Sequence, residues 1–470
     1  MTRRRIPIPR GPGDRCLAAL QAAAILAFTP LVTPSPTVAQ TPEQHYADWA
    51  RPIFPPEEYA QRRARMLEML RDAGGGVLLL PSSDGHTGGD TFRQLEDFWY
   101  FTGLEVPGSV LALDSGSGEA TLFLPRRDPR FENPGRPNDF PGRPLGDDPD
   151  FVRSTGIAHT EDVARFPQAL KTWAAARRTV RVDIGRTGAV GPVDPPLGGE
   201  ISPAHTFVLY LRRHAPSLDV HNAFALVAHL RMRKTPREIA ALRRTAAVTL
   251  DAIRTTAAAV RPGVDERTLQ GIFEAACRRG GAQRMPFTPI IKSGPNSLWP
   301  WRILAAHYDR RNRTLRAGEL VILDVGCEID GYVSDVGRTF PVSGTLSPQQ
   351  RAKLQMISAV SDAIIAAVRP GVTLARLRDV AYRAIPDDEE RYMQAPIYFG
   401  HHIGMNAGDP ALLDEPLAPG MVITVEPWYY NHDFGISVFV EDDIVITEDG
   451  AEVLTAALPH DPPPPQPGAP

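Results

Sequence analysis

The chain has few cysteines and a net charge close to zero. The first feature argues against a disulfide-rich protein and the second against a nucleic-acid-binding one. Of its three cysteines, Cys16 lies close to the N-terminus, so that only Cys277 and Cys327 remain in the body of the chain. Two cysteines make a disulfide framework unexpected, and neither stands in a zinc-ligand spacing, so we expect both to pack in the core. A net charge of −4 gives no reason to expect nucleic acid as a partner. Residues 45–225 also lack a phosphate-binding glycine loop.

The first 39 residues have the order of a secretory signal peptide. Basic residues up to Arg15 precede an apolar run over residues 17–32, and small residues follow up to Ala39. The apolar run is short for a membrane span. We therefore predict cleavage near Ala39, export to the periplasm or the medium, and no membrane segment in the mature form. The alternative is an uncleaved anchor.

With 470 residues, of which 43% are apolar, the chain can bury more than one core. Residues 45–228 have the pattern of a smaller α/β domain, with a long loop over residues 126–150 that is rich in proline, glycine and charge. Residues 57–72 have helical spacing, and four stretches are strand-like: residues 76–81, 97–103, 109–113 and 120–125. Residues 459–470 form a proline-rich tail.

Residues 229–458 contain an internal repeat. Residues 258–264 recur unchanged as residues 366–372, and each copy separates two predicted helices. The strands repeat as well, because Gly318 precedes Asp324 by six residues and Gly420 precedes Glu426 by six. Two matching halves folded face to face would bring Asp324 and Glu426 together near a pseudo-two-fold axis.

The central stretch, residues 321–340, has the pattern of a β-hairpin with Asp330 and Gly331 at its turn. This register places Asp324 opposite Gly337 and Asp335 opposite Gly326, with both aspartates on one face. Two buried carboxylates repel each other, and a cation between them would remove the cost. The glycine opposite each aspartate would leave room for that cation. The alternative is the polar outer face of an ordinary hairpin.

Five candidate ligands fit one centre: Asp324, Asp335, His401, Glu426 and Glu441. Four carboxylates and one imidazole match a two-metal hydrolytic site. Such oxygen-rich ligation favours Mn²⁺ or Co²⁺, with Zn²⁺ as a further option, and argues against a structural zinc.

These motifs, taken in order, resemble the pita-bread metallopeptidases, in particular the aminopeptidase P and prolidase branch. The resemblance covers residues 55–457 and rests on D-V-G-x5-Y-x-S-D-V-G-R-T-F, G-H-x-I-G, T-V-E-P and V-E-D-D-I-V-I-T. It implies an α+β fold in which a smaller α/β domain precedes a C-terminal pita-bread domain with duplicated halves. It also implies that Glu426 acts as general base and that His307 lines the substrate site and steadies the oxyanion.

The activity implied by the resemblance is that of an Xaa-Pro aminopeptidase with two divalent metal ions as cofactor, for which Mn²⁺ is the first candidate. Its partner would be a peptide substrate, and the family commonly forms homo-oligomers. The alternatives are an Xaa-Pro dipeptidase, a non-catalytic module that binds peptides, and a metal-free hydrolase of the same fold.

Three positions depart from the family pattern. Gly408 stands where a second active-site histidine is usual, Phe439 replaces an arginine, and Gly337 replaces a threonine. We expect the missing histidine to affect substrate positioning but not metal binding. His402 or His432 could supply a replacement imidazole, and His402 is our candidate for contact with the substrate.

Overall fold

A computed structural model describes residues 52–85, 92–126, 128, 130, 151–186, 188, 201–298, 312–393 and 399–461. The predicted signal peptide and His307 lie outside these residues, as do most of the predicted loop at 126–150 and residues 462–470 of the predicted tail. None of the helices in the described ranges is long and apolar enough to cross a membrane.

The N-terminal part alternates helices and short strands around one mixed sheet. Its helices are α1 (Pro56–Asp72), α2 (Glu96–Thr102), α3 (Phe151–Thr155), α4 (Phe166–Ala175), α5 (Pro203–His214) and α6 (Phe224–Met232). Its strands are β1 (Val77–Pro81), β2 (Val110–Asp114), β3 (Glu119–Leu124), β4 (His159–Asp162), β5 (Thr179–Val182) and β6 (Asp219–Asn222). The strand order is β4-β3-β2-β1-β5-β6, with antiparallel pairing of β2 to β1 and β3 and parallel pairing elsewhere.

The strand predicted over residues 97–103 is wrong, because this aromatic stretch forms helix α2. The helix ends at Gly103, which adopts the left-handed conformation at φ 69°. All residues from Phe98 to Thr102 are buried. A helix that is buried all round has no polar face, so its short apolar run cannot be told from a buried strand by periodicity.

The C-terminal part carries the predicted duplication. Its helices are α7 (Pro236–Ala257), α8 (Glu266–Arg279), α9 (Pro348–Ala367) and α10 (Leu374–Ala384). Its strands are β7 (Ile290–Ser293), β8 (Leu320–Val325), β9 (Glu328–Ile329), β10 (Tyr332–Val333), β11 (Val336–Pro341), β12 (Val422–Val425), β13 (Trp428–Asn431), β14 (Ile436–Phe439), β15 (Asp442–Ile446) and β16 (Ala451–Val453). The sequence signature of a capping box, Ser or Thr followed three residues later by Glu or Gln, occurs at Thr235 and Ser347, and capping boxes begin α7 and α9 there.

The two halves share even individual backbone hydrogen bonds at equivalent positions. Gly263 N donates to Leu315 O over 3.0 Å, and in the second half Gly371 N donates to Leu417 O over 2.8 Å. Both glycines are left-handed, with φ of 91° and 87°. The repeated turn between the two helices of each half therefore ties them to the chain just before the strand that contains Asp324 or leads to Glu426.

The two cysteines in the body of the chain form a disulfide, contrary to our expectation, although both lie in the core as predicted. Cys277 on α8 and Cys327 after β8 are bonded, with Cα atoms 5.7 Å apart. Both side chains are fully buried in the core between helices α7 and α8 and the hairpin. The tertiary packing of α8 against the hairpin brings them together, and their 50-residue separation in sequence gives no sign of it.

Candidate metal centre

The central hairpin has the register that the sequence predicts. Tyr332 pairs with Ile329 around the turn, and Gly337 pairs with Asp324 where β11 meets β8. The face of the hairpin opposite Asp324 packs in the core, as expected, through Val321, Leu323, Val325, Cys327 and Ile329.

The predicted reason for the two glycines is wrong. A Cβ on Gly326 would lie 2.0 Å from the carbonyl oxygen of Ser334. A Cβ on Gly337 would lie 2.3 Å from Cε1 of Phe439. Each glycine thus admits a neighbouring protein atom, and the space above it is not kept for a cation.

Phe439 belongs to a small aromatic cluster beside the centre. Its ring centroid lies 4.3 Å from that of Trp428, and Ile322 and Tyr430 complete the cluster. The ring is 1% exposed and covers Gly337 directly. Two of the three departures from the family pattern are therefore in contact with each other.

Glu426 and His401 are held together by one residue of strand β12. Thr424 lies two positions before Glu426, on the same face of the strand, and its hydroxyl donates to Glu426 Oε1 over 3.0 Å. The same hydroxyl accepts the backbone N–H of His401 over 3.1 Å. Gly400 makes this approach possible, since a Cβ there would lie 2.2 Å from Thr424 O.

The imidazole of His401 has a fixed orientation. Its Nδ1 donates to the carbonyl oxygen of His402 over 3.1 Å, which leaves Nε2 facing the carboxylates. Nε2 lies 3.1 Å from Glu426 Oε1 and 3.8 Å from Asp335 Oδ2. One ligand atom each of Asp335, His401 and Glu441 lies within 4.8 Å of the others.

Glu441 meets the hairpin at the junction of the two halves. Its backbone N–H donates to Gly337 O over 3.0 Å, and its carbonyl accepts the Gly337 N–H over 3.3 Å. This bridge sets Glu441 beside the pair formed by Asp324 and Gly337. The structure thus brings the five predicted residues to one place. Asp324 lies in β8 and His401 in the loop before β12, while the other three lie at strand ends: Asp335 just before β11, Glu426 just after β12 and Glu441 just before β15.

The electrostatics of this cluster call for a cation. Burial raises the pKa of Asp335 well above its usual range, and the charges of Asp324 and Glu426 raise it further. Burial also raises the pKa of Glu441, to which the charge of Asp335 adds. Burial by itself would lower the pKa of His401, but the carboxylate of Glu426 raises it to about 9. The cluster therefore favours bound protons or a metal ion over bare negative charge.

Two buried oxygens fit a metal ion directly. Asp335 Oδ1 and Glu441 Oε2 are each shielded from solvent, and neither has a hydrogen-bond partner within the described part of the chain. An unsatisfied buried carboxylate oxygen is costly, and ligation to a divalent ion would satisfy it. The chemistry and placement of the donor set fit the metal site that the sequence predicts.

The other predicted residues are placed less favourably for contact with a substrate. The ring of His402 is 2% exposed and lies near Lys234 and Asp409, and burial together with Lys234 lowers its pKa to about 3. This enclosure argues against direct contact between His402 and a substrate, and its assignment stays a prediction. His432 is exposed at the end of β13. Gly408 is exposed, and a Cβ there would meet no atom within 4 Å.

Sequence reasoning missed two supporting residues. One is Thr424, described above. The other is Asp443, which is 2% exposed and accepts the backbone N–H of Asp335 over 3.3 Å with both carboxylate oxygens. The alternation of side chains along a strand could have indicated both. Thr424 lies two residues from Glu426 and Asp443 two residues from Glu441, so each shares a face with a predicted ligand.

Comparisons with known proteins agree with this architecture. The profile of metallopeptidase family M24 matches residues 240–448, and that of the aminopeptidase P N-terminal domain matches residues 59–182. The mitochondrial intermediate cleaving peptidase 55 of Arabidopsis thaliana is 28% identical over 91% of this chain and 85% of its own length. The Xaa-Pro aminopeptidase of Escherichia coli is 28% identical over 86% of this chain and 95% of its own.

A solved structure agrees as well. The aminopeptidase PepP of Pseudomonas aeruginosa superposes with a TM-score of 0.71 at 25% identity, covering 86% of this chain and 96% of its own. The expected fold class is confirmed, with a smaller N-terminal domain and a C-terminal pita-bread domain. Residues 240–448 are thus a metallopeptidase domain of family M24, residues 59–182 are an N-terminal domain of the aminopeptidase P type, and the chain is a metal-dependent peptidase.

Proposed function

We propose that this chain is an exported Xaa-Pro aminopeptidase that removes the N-terminal residue from peptides with proline in second position. The observation that carries this proposal is the buried cluster of four carboxylates around His401, with its two unsatisfied oxygens. The relatives named Xaa-Pro aminopeptidase support the specificity.

The cofactor would be two divalent metal ions. Mn²⁺ is our first candidate, and Co²⁺ and Zn²⁺ are alternatives. Their ligands would be Asp324, Asp335, His401, Glu426 and Glu441. When bound, such ions supply Lewis acidity toward the scissile carbonyl and lower the pKa of water.

The protein's own residues would orient the peptide and move the proton. The hydroxyl of Thr424 donates to Glu426 Oε1, so the carboxylate keeps one orientation while it takes a proton from the attacking water. The same carboxylate would then pass the proton to the leaving amine. His307, which lies outside the described residues, would steady the oxyanion.

Export and assembly are further parts of the proposal. The order of residues 1–39 supports secretion, and the disulfide between Cys277 and Cys327 supports an oxidising compartment. We also expect a homo-oligomer, as the family resemblance implies. Mass spectrometry of the exported protein should find an N-terminus near residue 40, and light scattering should find more than one chain per particle. A retained leader or a monomer would contradict the respective claim.

The activity is tested by stripping the protein of metal and reloading it with Mn²⁺, Co²⁺ or Zn²⁺. Hydrolysis rates are then compared for Xaa-Pro-Xaa, Xaa-Pro and Xaa-Ala-Xaa peptides. We expect about two ions per chain, turnover of Xaa-Pro-Xaa, and its loss on chelation. Preferred cleavage of Xaa-Pro would indicate a dipeptidase, and equal cleavage of Xaa-Ala-Xaa would refute the proline preference.

A matched pair of variants tests the joint role of Glu426 as base and metal ligand. Glu426→Gln should lower kcat by about 10²–10⁴-fold. The control Glu448→Gln changes an exposed glutamate after β15 and should keep the parent rate. If both variants turn over at the parent rate, Glu426 is not the base.

A further inference from the structure

The strands that carry the metal ligands have a second, equally buried face. Side chains alternate along β11, so Gly337 faces the metal centre and Arg338 faces away from it. Arg338 is fully buried, and its Nη1 donates to the carbonyl oxygens of Gly337 over 2.7 Å and Glu441 over 2.6 Å. One guanidinium thus binds the two carbonyls of the bridge that joins the halves.

Arg338 is anchored in turn by the C-terminal segment. Its Nη2 donates to Leu458 O over 2.6 Å and pairs with Asp442 Oδ1 at 2.7 Å. Asp442 follows Glu441, and alternation places its side chain on the rear face. The carboxylate of Asp442 also accepts Thr455 Oγ1 over 2.5 Å and His460 Nε2 over 2.6 Å.

The hydrogen bond from His460 completes the set of donors around the carboxylate of Asp442, which is only 1% exposed. Without His460, Asp442 Oδ2 would lose its 2.6 Å donor while still enclosed, which is an expensive state for a buried charge. Asp442 could then reorient toward solvent, and Arg338 would lose its ion pair with Asp442, although it would keep its hydrogen bonds to Leu458 O. Thr339, whose hydroxyl bonds both backbone groups of Phe439 at 2.9 Å, would remain as a tie between β11 and β14. It does not reach the bridge at Glu441.

We propose that residues 455–460 form a latch behind the metal centre and that His460 is a positioning residue that fixes Glu441 for metal binding. His460 acts through Asp442 and Arg338 and touches neither metal ligand nor substrate. The proposal rests on the proposed metal site. Loss of a group that hydrogen-bonds a metal ligand directly typically weakens metal affinity by about 10–100-fold, and because His460 acts through two further residues we expect the lower end of this range.

The experiment compares two truncations of the full chain. A chain that ends at Asp461 keeps the latch, whereas a chain that ends at Pro459 removes His460. The Kd for Mn²⁺ is measured by calorimetry on the metal-stripped proteins, together with their circular dichroism. We expect the parent Kd in the first and a Kd at least about tenfold higher in the second, with native secondary structure in both.

Point variants separate positioning from general stability. His460→Ala should raise the Mn²⁺ Kd like the shorter truncation, and His460→Gln, whose amide can donate to Asp442 from a similar place, should restore much of the affinity. His221→Ala is the matched control, because His221 is about half exposed and lies in the N-terminal sheet.

The outcomes are distinct. If His460→Ala lowers thermal stability but leaves the Kd unchanged, the latch is structural only and the proposal fails. If the Kd of His460→Gln equals that of His460→Ala, the hydrogen bond is not the cause. A parent protein that binds no Mn²⁺, Co²⁺ or Zn²⁺ would instead overturn the metal site itself.

Discussion

The contact between Gly337 and Phe439 yields the sharpest prediction. In Gly337→Ala the new Cβ would lie 2.3 and 2.5 Å from two ring carbons of Phe439 and 2.8 Å from Cβ of Glu441. Real Cβ atoms do not approach so closely, so the ring must move. It is enclosed by Trp428 and Ile322 and cannot swing into solvent. Overpacking of this kind costs about 1–3 kcal/mol, and we expect about 3 kcal/mol here because backbone-linked atoms of Glu441 also obstruct.

The measurement is a double-mutant cycle on the metal-stripped protein, with the free energy of unfolding taken from urea titration. Phe439→Ala alone should cost about 3–5 kcal/mol, because it leaves a cavity. In that background Gly337→Ala should cost about 1 kcal/mol, since only the contact with Glu441 remains. The coupling energy is then about 2 kcal/mol, within the range for residues in direct contact.

The control is Gly271→Ala in the interior of α8, where a Cβ would meet no atom within 4 Å. This change should stabilise the protein by about 0.4–1 kcal/mol, because it lowers the entropy of the unfolded chain. If Gly337→Ala were as well tolerated as the control, or if the two changes in the cycle were additive within about 0.5 kcal/mol, the packing argument would be refuted.

Three further predictions concern the metal centre and its surroundings. Thr424→Val removes the hydroxyl that joins Glu426 to His401, so it should cost about 1–3 kcal/mol in urea unfolding and lower kcat. The raised pKa of His401 stabilises the metal-free fold at low pH, and this contribution is lost as the pH rises through about 9. The raised pKa values of Asp335 and Glu441 act in the same direction, because each buried carboxyl ionises at a cost as the pH rises. The increase in Tm on adding Mn²⁺ should therefore be larger at pH 8 than at pH 6, and an equal increase would contradict the shifts. Replacing both disulfide-bonded cysteines by serine should cost about 4 kcal/mol in the same unfolding assay, as expected for a 50-residue loop, whereas an unchanged midpoint would argue against the bond.

The features that sequence predicted well are local or repeated. The Asp-Gly turn fixes the register of the hairpin, so the pairing of Asp324 with Gly337 follows from counting residues. The capping boxes at Thr235 and Ser347 mark two helix starts because the side chains involved lie three residues apart. The repeated turn predicted the duplication, and the hydrogen bonds of Gly263 and Gly371 follow it.

The features that it missed depend on distant parts of the chain. Nothing near Cys277 or Cys327 in sequence indicates that helix α8 packs against the hairpin, so the disulfide could not be predicted. Helix α2 was predicted as a strand because burial on all sides removes the periodicity that distinguishes the two. The role of Asp443 depends on where β15 lies relative to the hairpin, which only the tertiary fold decides.

The three departures from the family pattern are not independent of one another, because two of them form a single packing arrangement. A threonine at position 337 would place its Cβ only 2.3 Å from a ring carbon of Phe439, and an arginine at position 439 would remove the ring that packs against Trp428. Gly337 and Phe439 are therefore one packing solution, in which an aromatic ring fills the space that the missing side chain opens. Gly408 is different, because it is exposed and has open space around it. The loss of the usual histidine there has no such packing compensation among the described residues, so we expect this departure to affect substrate positioning more than the other two.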